Sequence, residues 1–363
     1  MKNTFGSSFS VTLFGESHGE AIGAALDGVK PGVELDLEKI SAILRRRRGA
    51  AAFSTKRSEK DEFKIVSGFF EGKTTGTPLC ILIPNTDTKS ADYSKMKTVA
   101  RPSHADYTAF LKYHGFEDYR GGGHFSGRIT AALTAAGAVA LQILEGCGVE
   151  IGTHILSCGG VSDRHFENFD EDISALGSFS IPVLDESAKE KIEDRIRAAR
   201  ENGDSVGGVL ETAVTGFPCS VGEPWFDTVE GVLAHILFSI PAVKGVSFGA
   251  GFDFGKMTGS QANDPFALKD GKVITETNNN GGVNGGITNG MPIIVSCAVK
   301  PTPSIYKTQK TIDFEKTRET ELLIEGRHDP AIIHKAAPVA TAVTAIALLD
   351  LLSQRFGTDL DIK

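Results

Sequence analysis

Apolar residues recur along this chain at two different periods. From Leu37 to Arg48, Leu37, Ile40, Ile43 and Leu44 follow helical spacing, with Asp36 placed to cap the first turn and Gly49 to stop the last. Residues 126–146 are apolar nearly all round and rich in alanine, which predicts a helix buried on every side and closely packed. Ser187 with Glu190 reads as a capping box for an exposed helix that ends near Gly203. Near the C-terminus, Asp329 suits a cap and Pro330 a first turn. Pro338 should kink or interrupt that helix before it continues to Phe356. Alternating or β-branched segments at 208–215 and 295–300, and the runs Ile81-Leu82-Ile83 and Ile293-Ile294-Val295, read as strands. Strands and helices do not alternate regularly, so the pattern predicts mixed α and β without a doubly wound sheet.

Composition narrows the function classes. With 363 residues, 40% of them hydrophobic and 23% charged, the chain can bury a large core. Length alone would suit two domains, but no Pro/Ser-rich linker or charge block marks a boundary, so one large domain is equally open. A net charge of −8 argues against non-specific nucleic-acid binding, which needs a basic footprint. Five cysteines stand far apart with no metal-ligand spacing, as expected of free thiols in a reducing cytosol. The N-terminal stretch lacks the apolar core of a secretory signal, and the longest charge-free apolar run, 129–144, is short of a membrane span.

Forty-one glycines are the outlier, and they cluster around candidate chemistry. Gly15 and Gly19 flank Glu16-Ser17-His18, three glycines precede His124, and NNNGGVNGGITNG fills 278–290. Such loops allow close backbone approach to a ligand. None is a P-loop or a Rossmann fingerprint. His18, between glycines and beside a serine and a glutamate, is suited to proton donation near neutral pH or to a structural role. Arg45 to Arg48 close a helix, where cations favour the C-terminus. Their fan around the axis lets about two of them face one pocket. RPSHADY at 101–107 sets Arg101 three residues before His104. GGGHFSGR at 121–128 places Arg128 in the first turn of the apolar helix, where it opposes the dipole and needs a negative partner, from a structural carboxylate or a ligand anion. GRHDP at 326–330 offers Arg327, His328 and Asp329, and KPTPS at 300–304 could cradle a phosphate or merely end a strand. Together these motifs favour acid–base chemistry on an anion over a binding module.

At these residues the chain resembles the chorismate synthase family. FGESHG, RPSHADYT, GGG-x-x-S-x-R, SI-x-AVKGV at 239–246, the asparagine/glycine loop, KPTPSI and GRHDP stand in the family's order, from about residue 5 to 352. The resemblance implies a single catalytic domain over 1–363, α+β, with buried helices sandwiched between antiparallel β-sheets, assembled as a cytoplasmic homotetramer. It implies anti-1,4-elimination of phosphate from 5-enolpyruvylshikimate 3-phosphate, with reduced FMN and no net redox change. His18 would protonate the departing phosphate, His104 would supply the proton of the reduced neutral flavin, and Asp329 would help the flavin accept the proton lost from C6. Arg46, Arg47, Arg101, Arg128 and Arg327 would hold substrate anions. Flavin contacts would come from His124, Phe125, Ser126, Pro241, Ala242, Gly285, Lys300, Pro301, Thr302, Pro303, Ser304 and Arg327. NADPH would meet Arg46 as an external reductant; no metal and no membrane are implied. The chain departs from the family at Arg48 and Ala50-Ala51-Ala52, at His124 and Ile129, and at Thr341, where glutamate is common; Arg57 is a candidate to compensate.

Overall fold

The computed structural model describes residues 2–49, 60–86, 97–324 and 328–360. Two five-stranded sheets enclose a pair of buried helices. The first sheet takes Thr4–Phe5, Ser10–Gly15, Ala21–Asp27, Leu79–Pro84 and Lys64–Ser67 in spatial order. The second takes Val243–Phe248, Ile293–Val299, Gly208–Thr215, Glu150–Cys158 and Val161–Ser162. Every pairing within both is antiparallel. The helix Thr130–Glu145 packs on the first sheet and Ile333–Phe356 on the second, and the two helices pack on each other. The fold is therefore α+β, with buried helices between antiparallel sheets; the residue pattern predicts the mixture, and the family resemblance implies the sandwich.

The layering follows from the side chains. Along Ile293–Val299 every second residue is buried, and Ile293, Val295, Cys297 and Val299 join the core that contains the helices. Ile294 points to the other face, where it meets Phe166, Leu176 and Ala213 in a small separate core. In Thr130–Glu145 only Gln142 and Glu145 escape full burial, because small residues let neighbours close in all round. The closest approach is at Gly137, where an added Cβ would sit 2.4 Å from the Cβ and carbonyl oxygen of Ala342. The main core runs from Phe9 to Leu360. Its ends are tied by Asp350, whose buried carboxylate accepts the backbone N–H groups of Ser7, Ser8 and Phe9 at 3.0, 2.8 and 2.9 Å.

Several boundaries differ from expectation. The helix Leu37–Arg48 has its Asp36 cap and Gly49 stop as foreseen. The apolar helix begins with a short 3₁₀ turn, Gly127–Ile129, capped by the Ser126 hydroxyl. The exposed helix runs Glu186–Glu201 and is capped by Asp185, not Ser187, since the Asp185 carboxylate accepts from the N–H groups of Ser187 and Ala188. The C-terminal helix starts at Ile333, so Asp329 is not its cap, and Pro338 lies inside it without ending it. One lost N–H near the helix start is outweighed by burial on all sides. Gly127–Glu145 and Ile333–Phe356 are long and apolar enough to cross a membrane, yet 78% and 100% of their most apolar windows are buried inside the protein. They are core helices, and no membrane is needed to explain them.

Candidate active site

Two adjoining cavities open where the glycine-rich motifs meet. The larger, about 980 Å³, is lined by Arg101, His104, His124, Phe125, Lys300 and Thr302, among others. The smaller, about 340 Å³, is lined by Arg47, Arg48, Arg128, Asp329 and Lys335. Ser126, Gly127, Thr130, Pro241 and Ile332 line both and form the shared wall.

In the larger cavity, the turn at 101–106 is built by Arg101. Its guanidinium Nε and Nη2 donate to the two Asp106 oxygens at 2.8 and 2.7 Å, and its backbone N–H donates to Oδ2 at 2.9 Å. Ser103, with φ of +60°, then turns the chain so that its carbonyl accepts from Lys300 Nζ at 2.7 Å. His104 follows, its Nε2 2.8 Å from the Ser304 hydroxyl. Burial, with Arg101, Lys300 and His328 adding to it against Asp106, pushes the His104 pKa down to about 4. It is a neutral imidazole at pH 7. Opposite, Ala242 holds a left-handed φ of +77°, and its carbonyl accepts the Lys300 N–H at 2.9 Å. Backbone strain of this kind persists where a site over-determines it.

The smaller cavity rests on an ionic cluster. Asp61, its side chain fully buried and its backbone at φ +52°, accepts from Arg47 Nη2 at 2.9 Å and from Arg128 Nη1. Arg128 also donates from Nε to Asn85 Oδ1 at 3.0 Å and from Nη2 to the Pro84 carbonyl at 3.2 Å. Arg47 reaches the Thr130 hydroxyl at 3.1 Å. Burial pulls the Arg47 pKa down, with Arg128 and Arg48 acting the same way against Asp61. Burial pushes the Asp61 carboxyl up, but the two arginines outweigh it and hold it below the usual range. The structural carboxylate that Arg128 requires is therefore Asp61, which it shares with Arg47, so that among the described residues two guanidiniums meet one carboxylate there. Across the cavity Asp329 accepts from Lys335 Nζ at 2.6 Å.

His18 is buried in the FGESHG turn behind the larger cavity. Gly121, Gly122 and Gly123 all take positive φ, and a Cβ on Gly121 would lie 2.2 Å from the His18 ring, so the wall is only a backbone thick there. His124 Nδ1 donates to the Gly15 carbonyl at 2.7 Å, joining the two motifs.

The site residues foreseen from sequence divide accordingly. Arg101, His104, His124, Phe125, Ser126, Pro241, Ala242, Lys300, Thr302 and Pro303 line the larger cavity, and Arg47, Arg128 and Asp329 the smaller. Ser304 stands behind His104. Arg46, Gly285 and Pro301 line neither cavity. Gly285 instead forms the turn of a two-residue-strand hairpin. Arg327, Arg57 and Ala50-Ala51-Ala52 lie outside the described residues. Thr341 is buried, its hydroxyl donating to Thr153 Oγ1 at 2.8 Å. Sequence reasoning missed Asp61, Asn85, Asp106 and Lys335. The one signal available was the dipole argument that demanded an anion for Arg128.

The sequence profile of the family described as chorismate synthase matches residues 9–352. The chain is 48% identical over 350 residues to a chorismate synthase of Thermococcus gammatolerans, covering 96% of this chain and 97% of that one. It is 47% identical over 343 residues to one from Pyrococcus abyssi, covering 94% and 95%. A solved structure titled "Crystal Structure of Chorismate Synthase" superposes with a TM-score of 0.77 at 30% identity, over 98% of this chain and 94% of the other. The chain thus belongs to the chorismate synthase family, lyases of aromatic amino-acid biosynthesis that eliminate phosphate from 5-enolpyruvylshikimate 3-phosphate to form chorismate.

Proposed function

We propose that the chain acts as one catalytic domain over residues 1–363, takes reduced FMN in the larger cavity, and holds the substrate's anions over the arginine cluster. The observation that carries this reading is the pair of cavities with a common wall, one beside His104 and Lys300, the other beside Arg47, Arg128 and Asp329. The larger cavity suits a flavin phosphate and ring. Lys300 and Arg101 bring positive charge, Phe125 brings an aromatic face, and the buried Thr302 hydroxyl has no hydrogen-bond partner among the described residues.

When bound, the reduced flavin supplies electron density to the breaking C–O bond and is restored, with no net redox change. The chain's own residues do the rest. Arg47 and Arg128, with Arg46, Arg101 and Arg327, bind carboxylate and phosphate; Asp106 takes one N–H each from Arg101 Nε and Nη2, which leaves both Nη1 donors and the second on Nη2 for a ligand. His18 gives a proton to the departing phosphate oxygen. Asp329, gripped by Lys335, assists removal of the C6 proton. His104 would meet the flavin and exchange a proton with it; burial first, and then the Arg101 and Lys300 cations, keep its own pKa low. Further flavin contacts are assigned to His124 through Ser126, Pro241, Ala242, Lys300 and Thr302 through Ser304, while Gly285 and Pro301 line neither cavity. NADPH acts as an outside reductant near Arg46, and the enzyme works in the cytoplasm as a homotetramer. Anaerobic incubation with chemically reduced FMN and 5-enolpyruvylshikimate 3-phosphate should release chorismate and phosphate in equal amounts. No release at saturating substrate sinks the proposal.

A further inference from the structure

We infer that Asn85 is a positioning residue that locks the turn carrying His18 to the guanidinium of Arg128. Asn85 follows the strand Leu79–Pro84, and its backbone N–H donates to the Glu20 carbonyl at 3.0 Å. Its amide faces two ways. Nδ2 donates to the carbonyls of Glu16 and Gly19, both at 2.9 Å, which are the two ends of the Glu16-Ser17-His18-Gly19 turn. Oδ1 accepts from Arg128 Nε at 3.0 Å. The partners fix this orientation: turned over, the amide would set its oxygen against two carbonyls and its NH₂ against a guanidinium N–H.

The turn is already closed by the Gly19 N–H to the Glu16 carbonyl at 3.1 Å and held from the far side by the Ser17 N–H to the Gly123 carbonyl at 3.1 Å. Those bonds shape the turn and hold it to the glycine wall. Asn85 alone among the described side chains bonds both the turn and the arginine cluster. A chain of contacts thus runs from Arg47 through Asp61, Arg128 and Asn85 to the backbone on either side of His18. Proton delivery to an anion loses efficiency when donor and anion site shift by about 1 Å relative to each other. An amide suits this task where a carboxylate does not, since it must donate at one end and accept at the other. The inference rests on the assignment of His18 and Arg128 to one reaction.

Asn85→Asp keeps the acceptor for Arg128 but replaces the donor with an oxygen facing two carbonyls; Asn85→Ala removes both ends. Each variant is compared with wild type for kcat, KM, Tm and the ¹³C-NMR titration of His18. We expect both to lower kcat by about 10- to 100-fold with KM within about threefold, Asn85→Asp at least as severely as Asn85→Ala, and both to displace the His18 titration. Wild-type kcat in Asn85→Asp, a loss confined to KM, or a loss that tracks Tm with His18 unmoved overturns the inference. If Asn85→Asp does not fold, Asn85→Ala decides by the same measures. Should wild type itself form no chorismate, the catalytic reading fails separately, and the His18 titration alone decides whether Asn85 holds the turn.

Discussion

Two buried ionic clusters in this protein look alike by burial and differ in what they leave over. Around Asp61, two guanidiniums share one carboxylate, and Arg48 and Lys335 stand nearby on the wall of the smaller cavity. On the outer face of the second sheet, His154 lies between two carboxylates, its Nδ1 3.0 Å from Asp163 and its Nε2 3.1 Å from Glu211. Glu211 is also bonded to His165 at 2.5 Å, and Asp163 accepts the backbone N–H groups of Arg164, Leu184 and Asp185. The side chains of Asp61, His154 and Asp163 at their centres are fully buried. Among the described residues the first sets two guanidiniums against one carboxylate beside an open space; in the second every carboxylate oxygen is committed, and His154, Asp163 and Glu211 line neither of the two cavities. Burial of charge alone marks neither function nor stability. Charged donors with access to a cavity mark a ligand site.

The comparison breaks if the arginine cluster proves merely structural. Arg128→Ala should lower kcat/KM by about 10³-fold, the scale of a hydrogen-bonded charge lost against a dianion, in protein that still folds. Steady-state kinetics below Tm tests this; a variant with altered Tm and intact kcat/KM would reverse the argument. Next in size, Glu211→Gln should cost about 3 kcal/mol of stability, because His154 keeps its burial and loses half its compensation, while kcat stays unchanged. Denaturant unfolding with parallel assays measures both. A fall in kcat would give the second cluster a role it is here denied.

Only part of this contrast could be read from sequence. The arginine run, the dipole conflict at Arg128 and the all-round-apolar helix are local signals, and each follows from a period or a position in a helix. Asp61 carries no such signal. It stands between Lys60 and Glu62 in an ordinary charged stretch, and only the fold turns it inward at positive φ. Asn85 and Lys335 are equally silent, since their partners lie on other elements. Asp329 shows the opposite failure. It satisfied a local rule, that of a helix cap before Pro330, yet the helix starts at Ile333 and the carboxylate is drawn to Lys335. The same happened at Ser187, where Asp185, two residues upstream, won the cap. Motifs that share a sequence segment were visible, while pairings that join segments became visible only with the fold.

The histidines sharpen the comparison by pH. Burial opposes charge on His154, but hydrogen bonds to Asp163 and Glu211 more than offset it, so its pKa is raised. The folded protein then keeps a proton that the unfolded chain releases. This stabilisation is complete below the ordinary value of 6.5 and is lost as pH climbs through the folded pKa. His104 and the buried His334 sit at about 4, so the unfolded chain takes up protons that the folded one refuses, and stability falls between pH 6.5 and about 4. Tm plotted against pH should have two flanks. Glu211→Gln should flatten the alkaline one by a few degrees and His104→Gln the acid one. An alkaline flank untouched by Glu211→Gln would mean that His154 is not the titrating group.

The smallest expected effect belongs to a third kind of ion pair. Lys39 Nζ meets Glu145 at 2.6 Å, tying the arginine-bearing helix to the end of the apolar one, but their side chains are 55% and 46% exposed. Water screens the attraction, and ordering two long side chains offsets much of it. Lys39→Ala should therefore change stability by less than about 0.5 kcal/mol and leave kcat/KM alone, although this pair is shorter than the 2.9 Å contact between Arg47 and Asp61. Distance is thus the wrong measure of what an ion pair contributes here. If the Lys39 variant lost as much activity as Arg128→Ala, the helix it anchors, rather than the guanidiniums beside the cavity, would be what the site depends on.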